Sequence, residues 1–135
     1  MIQVFLSRLL LMDNQPQQVI SLQETEGEKR SLQMVIGSHE AQELNRILHK
    51  QETPRPLTHE LASQVMKELG GTLQQAVIHD YQEGTFFAEL HIEQNGEAVK
   101  VDCRPSDALS LSLRCRAPIF ATPEVMDSQG QTEAP

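Results

Sequence analysis

The stretch TFFAELHIEQNGEAVKVDCRPSDA, residues 85–108, carries the clearest structural signals in the chain. Apolar and polar residues alternate on both sides of Asn95-Gly96, which is typical of two strands that each bury one face. Asn and Gly both tolerate positive φ, so this dipeptide is the strongest short signal for a two-residue hairpin turn. The sequence therefore predicts an antiparallel strand pair here, followed by a helix that begins at Pro105.

The register of this predicted hairpin places two acids together. Because a two-residue turn makes its flanking residues face each other, the remaining pairs follow outward along both strands. Glu89 then lies opposite Asp102, while Leu90 meets Val101 on the apolar face. Like charges in directly opposite positions destabilise a strand pair, so we expect something to compensate the two acids.

Three compensations for the acid pair are consistent with the sequence. A divalent cation such as Mg²⁺ or Mn²⁺ could bridge Glu89 and Asp102, as phosphodiester-cleaving sites require to activate water and neutralise charge. The two acids could instead share a proton, which raises one pKa. Alternatively, Lys100 and Arg104 on the same face could form a salt-bridge ladder with the acids.

The polar face of the hairpin continues into the start of the following helix. Arg104 suits bidentate binding of a phosphate, and Ser106 with the first-turn amides suits an anion. Capping explains the same positions without any ligand, with Ser106 as the N-cap and Asp107 as a first-turn acid. Spacing alone leaves both interpretations open.

His59 lies at the start of another predicted helix, directly after Thr58. The helix dipole there favours the neutral imidazole that a general base needs. A solvated surface histidine without a role is the alternative interpretation.

Across the whole chain the patterns predict an α+β fold with one mostly antiparallel sheet system and three helices. Further strands are expected over residues 2–12, 19–22, 32–36, 73–81 and 118–121, and the helices begin near Ser38, Thr58 and Pro105. Two stretches share a plan of a strand pair and then a helix, which opens with Glu40-Ala41 in one and Asp107-Ala108 in the other. A duplicated unit explains this, as does the general preference of helix N-termini for acids.

Length and charge limit the functional classes. The chain has 135 residues, which suits one domain over residues 1–127, and the tail over 128–135 lacks the apolar residues needed for order. The formal net charge of −8 repels polyanions at long range, so any nucleic-acid site must be local.

The cysteines and the apolar start of the chain bear on the compartment. Cys103 and Cys115 lie among apolar residues and match no zinc-binding spacing, so we expect buried thiols in a reducing compartment. Arg8 interrupts the first apolar segment, which is far shorter than the roughly 20 residues of a membrane span. The expected location is the cytoplasm, without membrane contact.

Four motifs in sequence order carry a resemblance to a known family. They are RPLTHEL at residues 55–61, GTFFA at 84–88, VDCRPSDA at 101–108 and APIF at 117–120. Together they resemble the bifunctional nuclease domain family over roughly residues 2–127. Two positions depart from the family pattern: Cys103 stands where many members have alanine, and Glu60 stands where the pattern often has aspartate.

The resemblance implies an α+β domain that tends to dimerise and a nuclease acting on phosphodiester bonds of RNA or DNA. It implies metal or base carboxylates at Glu89 and Asp102, with Mg²⁺ or Mn²⁺ as the metal, a phosphate clamp at Arg104 and proton transfer at His59. The supporting and substrate-binding positions are Arg55, Ser106 and Asp107.

A homodimer is also expected because the first strand carries apolar residues on both faces, and a strand of this kind must be covered twice. The predicted faces are Val4, Leu6 and Leu10 on one side and Phe5, Leu9 and Leu11 on the other. The competing hypothesis for function is a non-enzymatic dimeric binding or regulatory module on the same fold. The acidic net charge favours that alternative.

Overall fold

The structure, a computed structural model, describes residues 1–132, and within them the chain forms an α+β fold of seven strands and four helices. The strands are β1 (Ile2–Leu10), β2 (Gln17–Glu24), β3 (Ser31–Gly37), β4 (Gly71–Gln82), β5 (Thr85–Gln94), β6 (Glu97–Cys103) and β7 (Ile119–Ala121). The helices are α1 (Ser38–Leu48), α2 (Thr58–Glu68), α3 (Pro105–Cys115) and α4 (Pro123–Gln129).

All seven of these strands belong to one sheet, in the order β3-β2-β1-β7-β4-β5-β6. β7 pairs parallel with β4, whereas the other neighbouring strands are antiparallel. The predicted antiparallel arrangement is therefore right in outline, although the sheet is mixed. The two edge strands line the same cleft, so the sheet is strongly curled.

The β5–β6 hairpin has the predicted turn and register. Asn95 and Gly96 both take left-handed backbone angles, with φ of 52° and 78°, as a tight hairpin turn requires. Glu89 lies opposite Asp102, and the pairing continues without a shift from Gln94 and Glu97 at the turn. The prediction that the two acids are cross-strand neighbours is confirmed.

The prediction of three helices is wrong, because α4 follows β7 directly. The Thr122 side chain accepts a hydrogen bond from the backbone N–H of Val125 at 3.3 Å, and Pro123 occupies the first turn. Both features mark helix N-termini. The helix has only seven residues, which is too short to show helical periodicity in the sequence.

The described structure continues past residue 127, where the sequence placed the end of the domain. Ser128 and Gln129 belong to α4, and Gln131 exchanges two backbone hydrogen bonds with Ser31, of 2.8 and 2.9 Å. The remainder of the predicted tail, residues 133–135, lies outside the described residues.

A β-bulge in β1 changes the predicted faces of the first strand. The register with β2 shifts between Leu6 and Arg8. Leu9 consequently pairs with the fully buried Ile20 and packs against the core, on the side predicted for Leu10. Leu10 is 45% exposed. The assignment of Leu10 and Leu9 to their predicted faces is therefore wrong, because alternation does not continue through a bulge.

α3 is the central helix of the fold, packed against α1, α2, β4 and β5. Leu109 and Ser110 have no solvent exposure, which confirms the expectation that this helix is buried on most sides. Cys103 and Cys115 are free thiols and are half-buried. No helix within residues 1–132 is long and apolar enough to cross a membrane.

Candidate functional site

A cleft of about 890 Å³ opens where the two edges of the curled sheet approach each other. One wall is the edge strand β3, and the other comprises the end of β6, the first turn of α3 and the β4–β5 turn. The polar residues Asp102, Arg104, Ser106 and Asp107 all line this cleft. The motif that spans the end of β6 and the first turn of α3 therefore faces one shared space.

Asp107 is the centre of the hydrogen-bond network in the cleft. Its carboxylate accepts from Arg104 Nε and Nη2, both at 2.9 Å, and from the Arg104 backbone N–H at 3.1 Å. His59 Nε2 lies 2.8 Å from the same carboxylate. Burial alone would raise the pKa of Asp107, but the hydrogen bonds from Arg104 and His59 outweigh it and hold the pKa at about 2.

Asp107 also orients the imidazole of His59. A carboxylate acceptor at Nε2 favours the tautomer that carries its proton on Nε2, so Nδ1 is left as the free acceptor. About a fifth of the His59 side chain is exposed, and His59 itself is not among the residues that line the cleft. An imidazole held in this way by a carboxylate is the usual arrangement of a general base.

Arg104 joins the starts of two helices. Its Nη1 donates to Glu40 Oε1 at 2.8 Å, and the hydrogen bonds to Asp107, followed by this one to Glu40, raise the pKa of the guanidinium. The hydrogen bond from Arg104 in turn lowers the pKa of Glu40. Glu40 was not predicted as a site residue, although its place in the acid-alanine pair at the start of α1 was a signal.

Glu89 has two histidine partners that the sequence did not suggest. Glu89 accepts from His91 Nε2 at 2.9 Å, and His79 Nε2 lies 3.9 Å from its other oxygen. The hydrogen bond from His91 lowers the pKa of Glu89, with smaller contributions from His79 and Lys100. A shared proton would raise a pKa, so it does not fit Glu89.

The salt-bridge ladder, one of the three alternatives, does not form as the sequence suggested. Arg104 is engaged by Asp107 and Glu40. Lys100 forms no ion pair with either hairpin acid in the part of the chain that the structure describes. Asp102 is exposed and faces the cleft, where it adds a third carboxylate beside a single guanidinium.

The carboxylates offer limited metal ligation. Within residues 1–132 no three His, Cys, Asp or Glu side chains come together as a set that could hold a metal ion. Glu89 and Asp102 supply two carboxylates, which suits Mg²⁺ only where water and substrate phosphate complete the octahedron. The donor chemistry therefore fits a weak, substrate-completed site and does not fit a closed structural one.

The remaining predicted site residues have different positions. Arg55 is exposed and lies outside the cleft lining. Ser106 is buried in the first turn of α3, and the N-cap position predicted for it belongs to Arg104. Burial, followed by the charges of Asp107 and Asp102, raises the pKa of Cys103 to about 12, so this cleft-lining thiol stays protonated at neutral pH.

A buried ion pair also joins α1 to α3. Glu43 of α1 accepts from Arg114 of α3 through both oxygens, at 2.7 and 2.9 Å, and from the Ser110 hydroxyl. The Glu43 side chain is only 4% exposed. This pair was not predicted, because the partners lie 71 positions apart in the chain.

The family model and the plant relatives that match this chain carry the same family name. The model of the family described as Bifunctional nuclease domain matches residues 20–134. An uncharacterized protein of Mycobacterium tuberculosis is 39% identical over 117 residues, which cover 87% of this chain and 68% of that protein. Bifunctional nuclease 1 of Oryza sativa subsp. japonica is 22% identical over 125 residues, covering 90% of this chain and 38% of the rice protein. Bifunctional nuclease 2 of Arabidopsis thaliana is 27% identical over 79 residues, covering 56% and 24%.

Proposed function

The chain belongs to the bifunctional nuclease domain family, and we propose that it hydrolyses phosphodiester bonds of RNA or DNA in the cleft beside α3. The observation that carries this proposal is the hydrogen-bonded set of His59, Asp107 and Arg104. These residues come from two separate motifs, and His59 and Asp107 lie 48 positions apart in the sequence. The plant relatives named as bifunctional nucleases support the same reaction class.

In the proposed reaction a water oxygen attacks phosphorus, its proton passes to His59 Nδ1, and the bond from phosphorus to the leaving oxygen breaks. Asp107 keeps the imidazole in the tautomer that can accept this proton. The leaving oxygen then takes a proton from solvent or from the imidazolium.

Arg104 is the proposed phosphate contact. Three of the five guanidinium N–H groups are engaged by Asp107 and Glu40, so two remain for a phosphate oxygen. About 59% of the side chain is exposed, which keeps these two donors accessible. Asp102 with Glu89 would hold Mg²⁺ or Mn²⁺, which would supply water activation and neutralise charge on the phosphate.

A cleavage assay with purified protein tests the proposal. We expect cleavage of single-stranded RNA or DNA with Mg²⁺ or Mn²⁺, its loss in EDTA, and none above background in the Glu89→Gln, Asp102→Asn double variant. His59→Gln should lower the rate by about a hundredfold. His49→Gln, which changes an exposed histidine of α1's C-terminus, should leave the rate unchanged.

One observation favours a second candidate function, a non-enzymatic binding or regulatory module. Arg104 is already shared by two carboxylates, and Asp102 makes the cleft acidic overall. A cleft of this charge repels phosphate unless a cation is present. Cleavage that never exceeds the double variant with either metal would favour this module over the nuclease.

The proposal includes a homodimer that packs through α2. Leu57, Leu61, Val65 and Leu69 form an exposed ridge at four-residue intervals, from 40% to 67% exposed. Such a ridge packs into the equivalent groove of an identical helix. Glu60 and Lys67 lie two turns apart on one flank of this ridge, so an antiparallel two-fold arrangement brings the Glu60 of one copy towards the Lys67 of the other.

Light scattering at micromolar concentration tests the assembly. We expect a dimer for the wild-type chain and a monomer for Val65→Glu. Phe5→Glu serves as the matched control, because Phe5 is 45% exposed but lies on β1. A wild-type monomer would refute the dimer, and dissociation by Phe5→Glu alone would move the interface to β1.

A further inference from the structure

Three aromatic side chains line the same cleft as Arg104 and Asp107. They are Tyr81, Phe86 and Phe87, at the β4–β5 turn, and all three are partly exposed. Tyr81 and Phe86 form an edge-to-face pair with ring centroids 4.6 Å apart and an interplanar angle of 60°. The whole chain has only five aromatic residues, four Phe and one Tyr, so this cleft holds most of them.

The opposite wall of the cleft presents unpaired main-chain groups. Ser31, at the start of β3, exchanges both of its backbone hydrogen bonds with Gln131, on the side away from β2. Backbone groups of alternate residues in an antiparallel strand point to the same side. Gln33 and Val35 therefore direct their N–H and C=O groups towards the cleft that they line.

The cleft thus combines three features, and the proposed hydrolysis involves only one of them, the guanidinium of Arg104. It has aromatic faces, an edge of main-chain donors and acceptors, and one accessible guanidinium at Arg104. Its volume of about 890 Å³ lies in the range of ligand sites. Aromatic faces bind any nucleobase by stacking, and main-chain donors and acceptors match the polar edge of a base.

We propose that this cleft binds single-stranded nucleic acid, with one unpaired base against Tyr81 and Phe86, a neighbouring base against Phe87, which β5 directs to the other face of the sheet, and the adjoining phosphate at Arg104. The base edge faces the main chain of Gln33 and Val35. This inference rests on the proposed nuclease function and adds its substrate class. A duplex is excluded as the preferred ligand because its bases are stacked and paired, so no base face is free to enter the cleft.

The charge of the protein predicts how strongly binding should depend on salt. With a net charge of −8 and one guanidinium in the cleft, binding depends on the base more than on the backbone. For single strands the logarithm of affinity falls with the logarithm of salt with a slope of about −0.7 for each phosphate contacted. We therefore expect a slope near −0.7, which is shallow for a nucleic-acid-binding protein.

Fluorescence anisotropy of the full chain with a labelled six-nucleotide oligothymidylate tests the inference. Measurements are made with Ca²⁺ in place of Mg²⁺, to prevent turnover, and repeated with a strand of equal length that lacks bases and with a duplex. We expect the intact strand to bind roughly tenfold tighter than either comparison probe. Equal affinity for the abasic strand, a tighter duplex, no binding of any probe at low salt, or a slope steeper than about −2 would each overturn it.

Two ring variants and a control locate the base. Tyr81→Leu and Phe87→Leu should each weaken binding of the intact strand by roughly tenfold and leave the abasic strand unaffected. Tyr81→Phe, which keeps the ring, should retain binding even where the leucine variant folds poorly. Phe5→Leu changes an exposed ring on β1 and should have no effect.

The outcomes for binding and for hydrolysis are separable. Cleavage that proceeds equally on strands with and without a base would leave the nuclease proposal standing and refute the base subsite. Selective binding of the intact strand without any cleavage would support the subsite and refute the nuclease proposal.

Discussion

The two halves of the sheet have one plan and different chemistry. β1 to β3 form an antiparallel meander that leads into α1, and β4 to β6 form another that leads into α3. Aligned on Glu40-Ala41 and Asp107-Ala108, the position of Asp102 corresponds to Val35. Val35 lies opposite Val19, where Asp102 lies opposite Glu89. The first half therefore has an apolar pair where the second has two acids.

The N-cap residues of the two helices also differ between an uncharged and a charged residue. The N-cap of α1 is Gly37, whereas the N-cap of α3 is Arg104. The first half contributes Glu40 and an apolar wall, and the second half contributes the guanidinium, the carboxylates and the cleft aromatics. Equivalent backbone geometry thus does not carry function by itself, since a few side chains at one junction make the difference.

The largest expected effect comes from the buried pair that joins the halves. Glu43→Gln removes the charge that two Arg114 nitrogens and Ser110 contact, and leaves Arg114 without its partner. Breaking a buried ion pair in this way costs about 3 kcal/mol of unfolding free energy. Urea denaturation at neutral pH measures it.

Glu60→Gln is the matched control for that pair, because Glu60 lies 3.9 Å from Arg114 and is 39% exposed. The control should change stability by no more than about 0.5 kcal/mol. Equal effects of the two substitutions would show that the halves are not joined mainly through Glu43.

Asp107→Asn should cost about 2 kcal/mol at neutral pH, since the pKa of Asp107 is depressed from 3.8 to about 2 in the folded chain. A depressed carboxyl pKa stabilises the fold above the unfolded pKa, and the contribution is lost as pH falls through the folded pKa. The difference between wild type and variant should therefore shrink between about pH 4 and pH 2. Urea denaturation at several pH values measures this difference.

The equivalent acid of the first half supplies the comparison for Asp107. Glu40→Gln should have a smaller effect, because Glu40 accepts one hydrogen bond from Arg104, whereas Asp107 accepts three from Arg104 and lies within hydrogen-bond distance of His59. A difference between wild type and Asp107→Asn that stays constant down to pH 2 would contradict the assigned pKa.

Gly37→Ala tests the contact between Glu40 and Arg104, which joins the two strand-to-helix junctions at the cleft. Gly37 has φ of −70°, so alanine suits the backbone, but its Cβ would lie 2.6 Å from Glu40 Oε2. We expect Glu40 to move off Arg104 and its pKa to rise, with a stability change within about 0.5 kcal/mol. Carboxyl NMR titration measures the pKa.

A double-variant cycle controls the Gly37 experiment. In an Arg104→Gln background the added Gly37→Ala change should produce little further rise in the pKa of Glu40, because the ion pair is already lost. An additive rise would mean that Gly37 acts on Glu40 without involving Arg104.

The smallest expected effect is that of Asp102→Asn. Removing one of two opposed carboxylates relieves repulsion, and Glu89 keeps its hydrogen bond from His91. Stability should stay level or rise by about 0.3 kcal/mol, measured as the urea midpoint. A loss above about 1 kcal/mol would reveal a stabilising partner of Asp102.

The same variant tests the metal. If Asp102 holds a divalent ion, Mn²⁺ with a short oligonucleotide should raise the melting temperature of the wild type and not that of Asp102→Asn. An equal shift in both would place the ion elsewhere.

Local patterns predicted the parts of this fold that depend on neighbours in sequence. The Asn95-Gly96 turn determined the pairing of Glu89 with Asp102, because a two-residue loop leaves one register. The bulge in β1 and the short α4 were not predicted, since neither leaves a periodic signal. The partners of Glu89 were missed as well: His79 lies on another strand, at a register shift, and His91 pairs with Lys100 across the hairpin while its side chain turns along its own strand to Glu89.

The site was predictable residue by residue but not as a network. Motif spacing identified His59, Arg104 and Asp107, yet the contact between His59 and Asp107 depends on how α2 packs against α3. The bond from Arg104 to Glu40 depends on the curl of the sheet, which brings its two edges together. Pairing between distant segments of this kind has no local sequence signature.

The position of β7 has a consequence for the order in which the chain acquires its structure. Ile119–Ala121 pairs with residues 2–4 of β1 on one side and with β4 on the other, so it is the strand that joins the two meanders. During synthesis each meander can form from contiguous sequence, but the continuous sheet must wait until residue 121 has left the ribosome. The cleft depends on both sheet edges, so its formation belongs to the last step of folding, and a chain that ends before β7 retains two partial sheets without it.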